Sequence, residues 1–448
     1  MSGHFSQVID KLSEAVGYRT VSNVDQERID YGEFRGFLDF LRRSYPGLFQ
    51  EARAELVEEY GLLLYLPPAE KEAAAPVLFM AHYDVVPAEE DGSWRYSPFS
   101  GTVAEDAVWG RGTLDNKGSL ITLLEAADNL LRKGWRPHRG IYIFSGHDEE
   151  IGGGRGAARA AELLEERGVR FSFVLDEGMT IVTPEIFPLS TAPLALIGIG
   201  EKGHMDLRLT AGGHAGHSST PPTTTAAGDI ARAVARVERR QFPARLTEPV
   251  KQLMRGIAPH TRGLKRLLLA RPRLFRPLLL RVLSAAPRSS AMVRTTRAVT
   301  MLSGSPKENV LPERARAVVN CRIIPGESMD LVQSRIERAC RPCGVDVERI
   351  PELQANDPLP VADTDGEGYR LISRAVGSTF PEAAVVPSLV LGTTDSRHFK
   401  SLTDNVYRFV PVVLNNELLG SIHGANERIP VDAVLKAVSA YESMLQQL

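Results

Sequence analysis

Charge imbalance is what this sequence most plainly lacks: 53 Lys and Arg stand against 55 Asp and Glu over 448 residues, a formal net charge of -2. Without a basic excess, sequence-independent nucleic-acid binding has no overall electrostatic support, and a small-molecule partner is the expectation. Cysteine is also scarce. Cys321, Cys340 and Cys343 are an odd set that makes no disulfide framework, which suits a reducing compartment. Cys340 and Cys343 have the spacing of half a metal site or a redox pair, but no second pair exists, so they read as structural. No stretch is apolar enough to span a bilayer, and Met1 to Val16 has no apolar run of the kind a secretory leader carries. A cytoplasmic protein without a membrane partner is the expectation.

The length favours two domains, or one domain interrupted by another. Phe5 to Val16 and Phe34 to Tyr45 carry apolar residues at helical spacing. Short apolar runs at Ala75 to Ala81, Gly140 to Ser145 and Phe171 to Leu175 alternate with helical patterns, which predicts an α/β sheet. Near Gly200 the order becomes strand Lys202 to Thr210, helix Thr224 to Arg239, strands Ala298 to Leu302 and Arg316 to Ile324, helix Met329 to Cys340 and strand Val345 to Ile350. That β-α-β-β-α-β order predicts a ferredoxin-like unit inserted at 201–352 into a catalytic domain made of 1–200 and 353–448. Within the insert, Lys251 to Arg288 holds Lys, Arg and Leu but no Asp or Glu, broken by four prolines. A basic apolar surface of this kind suits a membrane or an acyl chain. The plainer reading, short lid helices packing leucines inward while arginines stay solvated, is adopted because the prolines forbid one long helix.

The chemistry-bearing residues cluster at predicted strand ends. His82 follows an apolar strand in AHYDVVP, and Asp84, two residues on, projects to the same side as a partner for its second ring nitrogen. Asp115 sits in WGRGTLDNK on a strand-to-helix connection, where capping is the bland explanation. SGHDEEIGGG sets three acids directly after a strand. Clustered carboxylates repel unless a cation sits among them, although a solvated acidic loop is the alternative. Asp176 is a further acid at a strand end, preferred over Glu177 beside it, and His423 lies among small residues in GSIHGANERI. Two histidines and three carboxylates, with one carboxylate to spare, suit two zinc ions bridged by a carboxylate; cobalt or manganese fit the same donors.

At this point the sequence resembles the aminoacylase, carboxypeptidase G and carboxypeptidase S family of dizinc metallopeptidases, the carboxypeptidase S branch most closely. The resemblance runs along nearly the whole chain through HYDVVP, WRYSPFSG, WGRGTLDNKG, GHDEEIGG, Asp-Glu-Gly at 176–178, GHSSTPP, ENVLPERA, TTDSRHF and SIHGANERI. It implies that His82 and Asp176 hold one zinc, Glu150 and His423 the other, and Asp115 bridges them. It assigns the proton transfers to Glu149 and a cis peptide to the bond after Asp115. It also implies a homodimer formed through the lid, in which His217 reaches a neighbouring active site to stabilise an oxyanion. His214, three residues away, is the rival for that role.

Recognition of a substrate carboxylate calls for a guanidinium fork. Arg322 matches the family's lid arginine, Arg397 lies in a second matching segment, and Asn309 in ENVLP is placed to position backbone near the substrate; a salt bridge or a turn explains each equally simply. His4, His138 and His260 read as surface residues. The implied activity is hydrolysis of the amide bond of peptides or N-acyl amino acids with a free carboxylate. An aminopeptidase, a metal-holding binding module and a nucleotide-dependent oxidoreductase using the glycine run are the rivals.

Overall fold

The apolar runs at 75–81, 140–145 and 171–175 carry the strands Val77–Met80, Ile141–Ser145 and Val174–Asp176 in the computed structural model, which describes residues 2–70, 74–350 and 355–448. Ten strands form one mixed sheet. Its centre is parallel: Val77–Met80 pairs with Ile141–Ser145 on one side and Val174–Asp176 on the other, and Val406–Arg408 continues from Val174–Asp176. Parallel strands buried on both faces require apolar residues throughout, and VLFM is buried at all four positions. Antiparallel strands Arg53–Val57 and Gly61–Leu66 extend one edge.

Helices cover the sheet because their apolar faces have nowhere else to go. Lys117–Arg132 carries Leu120, Ile121, Leu123 and Leu124, each at most 1% exposed. Burying side chains of that size contributes about 1.5–3 kcal/mol each. The helix Val431–Leu445 packs along it with Val434, Ala437 and Met444 buried.

The chain leaves this sheet at Glu201 and enters a second one at Gly203. Four antiparallel strands run in the order Thr296–Ser303, Arg314–Ile323, Gly203–Gly212, Val345–Arg349. Helices Ala226–Arg239 and Met329–Cys340 pack on it around Leu207, Ile230, Val319 and Ile336. Their starts are set by side-chain caps: Thr225 accepts Gly228 N–H and Ser328 accepts Leu331 N–H. The arrangement is ferredoxin-like. The expected limit at 352 lies outside the described residues.

Between the first helix and second strand of this unit come four helices, Glu248–Ile257, Leu264–Ala270, Arg276–Leu283 and Pro287–Val293. Proline begins or interrupts each connection, as expected. The leucines do not all pack inward. Leu269 and Leu279 are 7% exposed, but Leu264 is 72% and Leu278 47% exposed, because helices of seven or eight residues have too narrow a contact face to bury a leucine at almost every position.

Candidate metal centre and active site

His82 follows the strand Val77–Met80 and is almost fully buried. Its Nδ1 lies 3.0 Å from the Asp84 carbonyl oxygen and 3.3 Å from Asp84 Oδ1. Asp84 does more than orient this ring. Its carboxylate accepts Ser22 Oγ at 2.7 Å and the backbone N–H groups of Glu149 and Glu150 at 3.1 Å each, so one buried acid fixes both the imidazole and the turn bearing the two glutamates.

The other ring nitrogen of His82 faces two acids, Asp115 Oδ1 at 3.1 Å and Glu177 Oε1 at 3.6 Å. His423 Nε2 lies 2.9 Å from Asp115 Oδ2 and 3.3 Å from Glu150 Oε2. Asp115 thus presents one oxygen to each imidazole. His82, Glu149 and Glu177 offer donor atoms within 4.8 Å of one another, and so do His82, Asp115 and Glu150. The peptide between Asp115 and Asn116 is cis, and His423 has φ 59°, a backbone region that a side-chain-bearing residue occupies only when its surroundings enforce it.

The loop that carries Asp115 is clamped by Glu427, which sequence reasoning passed over. It is fully buried; Oε1 accepts N–H from Gly112, Leu114 and Asp115 at 3.0, 2.8 and 3.2 Å, and Oε2 accepts Arg111 Nη1 at 2.6 Å. The next residues, Arg428–Pro430, pair with Ala107–Trp109. One short C-terminal segment therefore supplies His423 and also clamps the loop of Asp115. An acid four residues past a histidine, in a run of small residues, was the available signal.

The cluster is electrostatically unbalanced. Burial pushes the Glu149 carboxyl well above the ordinary glutamate value and Glu177 up to about 7. Burial opposes ionisation of Asp115 too, yet hydrogen bonds from His423 and His82 hold it low. Burial likewise works against a charged His82, but Asp115, Asp84 and Glu177 raise it well above the usual range, and hydrogen bonding to Asp115 and then Glu150 pushes His423 up to about 10. Glu150 Oε1 is buried with no hydrogen-bond partner. Imidazole and carboxylate donors in this number, with an orphaned oxygen among them, fit a pair of divalent cations, whose charge supplies what the acids lack.

The sequence reading takes Asp176 and leaves Glu177 aside, whereas in the structure it is Glu177 that faces His82. Asp176 ends the strand Val174–Asp176, and its Oδ2 accepts Ser396 N–H at 2.8 Å. Successive side chains leave a strand on opposite faces, so Glu177 is the one that turns to His82.

The remaining candidates are spread wider. Half-buried Arg322 places Nη1 3.4 Å from Thr393 Oγ1, while buried Arg397 donates to the Gly152 carbonyl at 2.7 Å. Asn309 and His217 sit together on a small ribbon, Gly216–His217 paired with Val310–Leu311. His217 is exposed, with Nδ1 2.7 Å from Ser219 Oγ, and neither residue lies on the wall of the cavity described next. His214 and His138 are exposed and His260 is half-buried; the side chain of His4 lies outside the described residues. The three cysteines are unpaired.

A cavity of about 850 Å³ starts at Asp115, Glu149, Glu150, Glu177 and His423. Away from these groups its walls are apolar, with Leu196, Val250, Leu253, Met254, Met292 and Leu389 among them. Four carboxylates and an imidazole at the end of an apolar chamber define a metal-dependent hydrolase of the two-cation type.

Comparison with known proteins agrees. Residues 78–447 match the model of peptidase family M20/M25/M40. Over 443 residues the chain is 33% identical to a probable carboxypeptidase S-like 2 of Dictyostelium discoideum, spanning 98% of this chain and 85% of the relative. It is 39% identical to the Homo sapiens N-fatty-acyl-amino acid synthase/hydrolase PM20D1, spanning 98% and 87%. The fold matches an M20 family metallo-carboxypeptidase of Sulfolobus solfataricus with a TM-score of 0.69 at 18% identity, covering 100% and 99% of the two chains. The chain belongs to peptidase family M20/M25/M40 and is a hydrolase of that family. Among the described residues no helix is long and apolar enough to cross a membrane.

Proposed function

We propose that this protein hydrolyses the amide bond of N-acyl amino acids that carry a long apolar acyl group and a free carboxylate, using two zinc ions. The observation that carries the proposal is the apolar cavity of about 850 Å³ ending on the carboxylate and imidazole cluster. A chamber of that kind has little to offer an acetyl group or a polar peptide side chain. The human relative is by name an N-fatty-acyl-amino acid synthase/hydrolase, in keeping with this reading.

In this scheme His82 and Glu177 hold one cation, His423 and Glu150 the other, and Asp115 serves both; Asp84 fixes the tautomer of His82. Zinc, when bound, would polarise the carbonyl and lower the pKa of water toward about 7. Glu149 takes the proton of the attacking water as its oxygen bonds to the carbonyl carbon. It then delivers that proton to the nitrogen as the C–N bond breaks. Arg322, with Arg397 beside it and Asn309 on the ribbon, receives the substrate carboxylate. The lid, residues 201–352, closes over the catalytic unit. Because His217 is exposed on a ribbon off the cavity wall, its action on the oxyanion is assigned to a second copy in a homodimer. Exposed Met301 and Leu302 on the edge strand Thr296–Ser303 suit that contact. Three unpaired cysteines suit a reducing, cytoplasmic setting.

The test is kcat/KM of the zinc-loaded protein over N-acyl-leucines from acetyl to palmitoyl, each as free acid and amide. Each added methylene is worth about 0.8 kcal/mol, so the rate constant rises about fourfold per carbon until the cavity is filled. A flat series removes the acyl assignment, equal cleavage of the amides favours an aminopeptidase, and no cleavage at all leaves a binding module.

A further inference from the structure

The structure leaves one surface that hydrolysis does not use. Between Pro249 and Lys307 there is no Asp or Glu, although the whole chain is nearly neutral. Lys265, Arg266, Arg271, Arg273, Arg276 and Arg281 on this stretch are all exposed, and among the described residues none of them is in an ion pair. Interleaved with them are Leu264, Leu267, Leu274, Leu278 and Val282, between 42% and 72% exposed. Leu264 and Leu267 are three residues apart on one helix, and Leu278 and Val282 four apart on the next, so each pair shares a helix face. Scattered exposed leucines mean little; four leucines and a valine within nineteen residues, on two short helices and the turn between them that carry only positive charge, form a basic and apolar surface.

We propose that the helices Leu264–Ala270 and Arg276–Leu283 dock on an anionic lipid bilayer and load the cavity from it. Charge selects the occupant. Unpaired cations without acids complement anionic headgroups, while the exposed leucines match the acyl region just beneath them. These helices and the next, Pro287–Val293, also form the outer wall of the cavity: Leu269, Leu283 and Met292 line it, and exposed Ala286 and Arg288 mark an opening beside them. A membrane-dissolved amphiphile then passes from the bilayer to the metal centre along an apolar path. Docking rests on the surface alone; loading rests also on the acyl-substrate reading above.

The experiment is sedimentation of the full-length zinc-loaded protein with vesicles of pure phosphatidylcholine or of phosphatidylcholine with phosphatidylglycerol. Binding to the anionic vesicles alone, weakened by salt, is expected. Arg273→Glu with Arg276→Glu should lower partitioning more than twentyfold, at about fivefold for each cation lost. Leu274→Ser with Leu278→Ser should lower it at least tenfold, while turnover of a dissolved short-acyl substrate, which does not touch these side chains, confirms that both variants fold. Equal sedimentation of variants and parent, or none with either vesicle, overturns the proposal. So does conversion of a dimer to a monomer by the leucine changes without vesicle binding, which would make the surface a contact between copies. Vesicle binding by a protein that hydrolyses no acyl amino acid would sink the substrate reading and leave docking intact.

Discussion

Replacing Glu427 by Gln tests whether the metal centre depends on a residue that touches no cation. The amide keeps one oxygen for the N–H groups of Gly112, Leu114 and Asp115, but its NH2 then opposes Arg111 Nη1, where the carboxylate accepted at 2.6 Å. Turning the amide over sets NH2 against three backbone donors instead. Arg111 is 3% exposed and retains only the Gly424 carbonyl, at 3.0 Å, and the Trp94 ring. Breaking a buried pair on one side costs about 3–5 kcal/mol. The loop of Asp115 loses its anchor at the same time, and loss of such outer support lowers metal affinity about 10–100-fold. Urea unfolding of the apoprotein reads the first effect, and competition for zinc with a chromophoric chelator reads the second. The double change Arg111→Met with Glu427→Met separates them: no charge is left unpaired, so stability returns in part, less what the N–H groups of Gly112, Leu114 and Asp115 lose with their acceptor, while zinc affinity stays low. Unchanged zinc affinity in both variants would refute the reasoning.

Glu149→Gln should retain both zinc ions and lose about 10²–10⁴-fold in kcat, checked by metal analysis and steady-state turnover. Stripping zinc should lower the melting temperature, through the loss of about 4 kcal/mol of stabilisation for each of the two sites at a thousandfold excess of metal over Kd, and zinc, cobalt or manganese should each restore it. Met254→Trp, on the cavity wall, should cut the palmitoyl-to-acetyl ratio of kcat/KM about fifteenfold if it displaces two methylenes. Burial lowers the His398 imidazole from 6.5 to about 4 while its Nε2 lies 3.1 Å from the Gly152 carbonyl. Between those values the unfolded chain binds the extra proton, so stability present above pH 6.5 is lost as pH falls toward 4. His398→Gln should flatten that part of the pH dependence in urea unfolding; an unaltered slope would exclude the assignment.

The β-α-β-β-α-β order was readable because strand alternation, helical periodicity and the caps Thr225 and Ser328 agree locally. His82, Asp115, Glu150 and His423 were readable because each stands in a distinctive run at a strand end or among small residues, and the structure brings them within reach of one another. Asp176 and Glu177 were not separable. Two adjacent acids at a strand end differ only in which face each meets, and that is decided by pairing with Val406–Arg408, more than two hundred residues away. The cavity was hidden for the same reason: its walls come from segments as distant as Met179 and Ile429. The leucines of 264–283 misled because composition says nothing of how wide a contact face a seven-residue helix has.

The clamp of Glu427 on the loop of Asp115 also bears on the order in which the protein is made. His423 and Glu427 leave the ribosome after more than four hundred other residues, and the strand Arg428–Pro430 that holds them in place follows at once. A nascent chain can assemble His82, Asp84, Glu149 and Glu177 and still lack both the second imidazole and the anchor of the bridging loop. On the reading proposed above, the two-cation centre is therefore complete only once the segment carrying His423 and Glu427 has joined the rest of the fold.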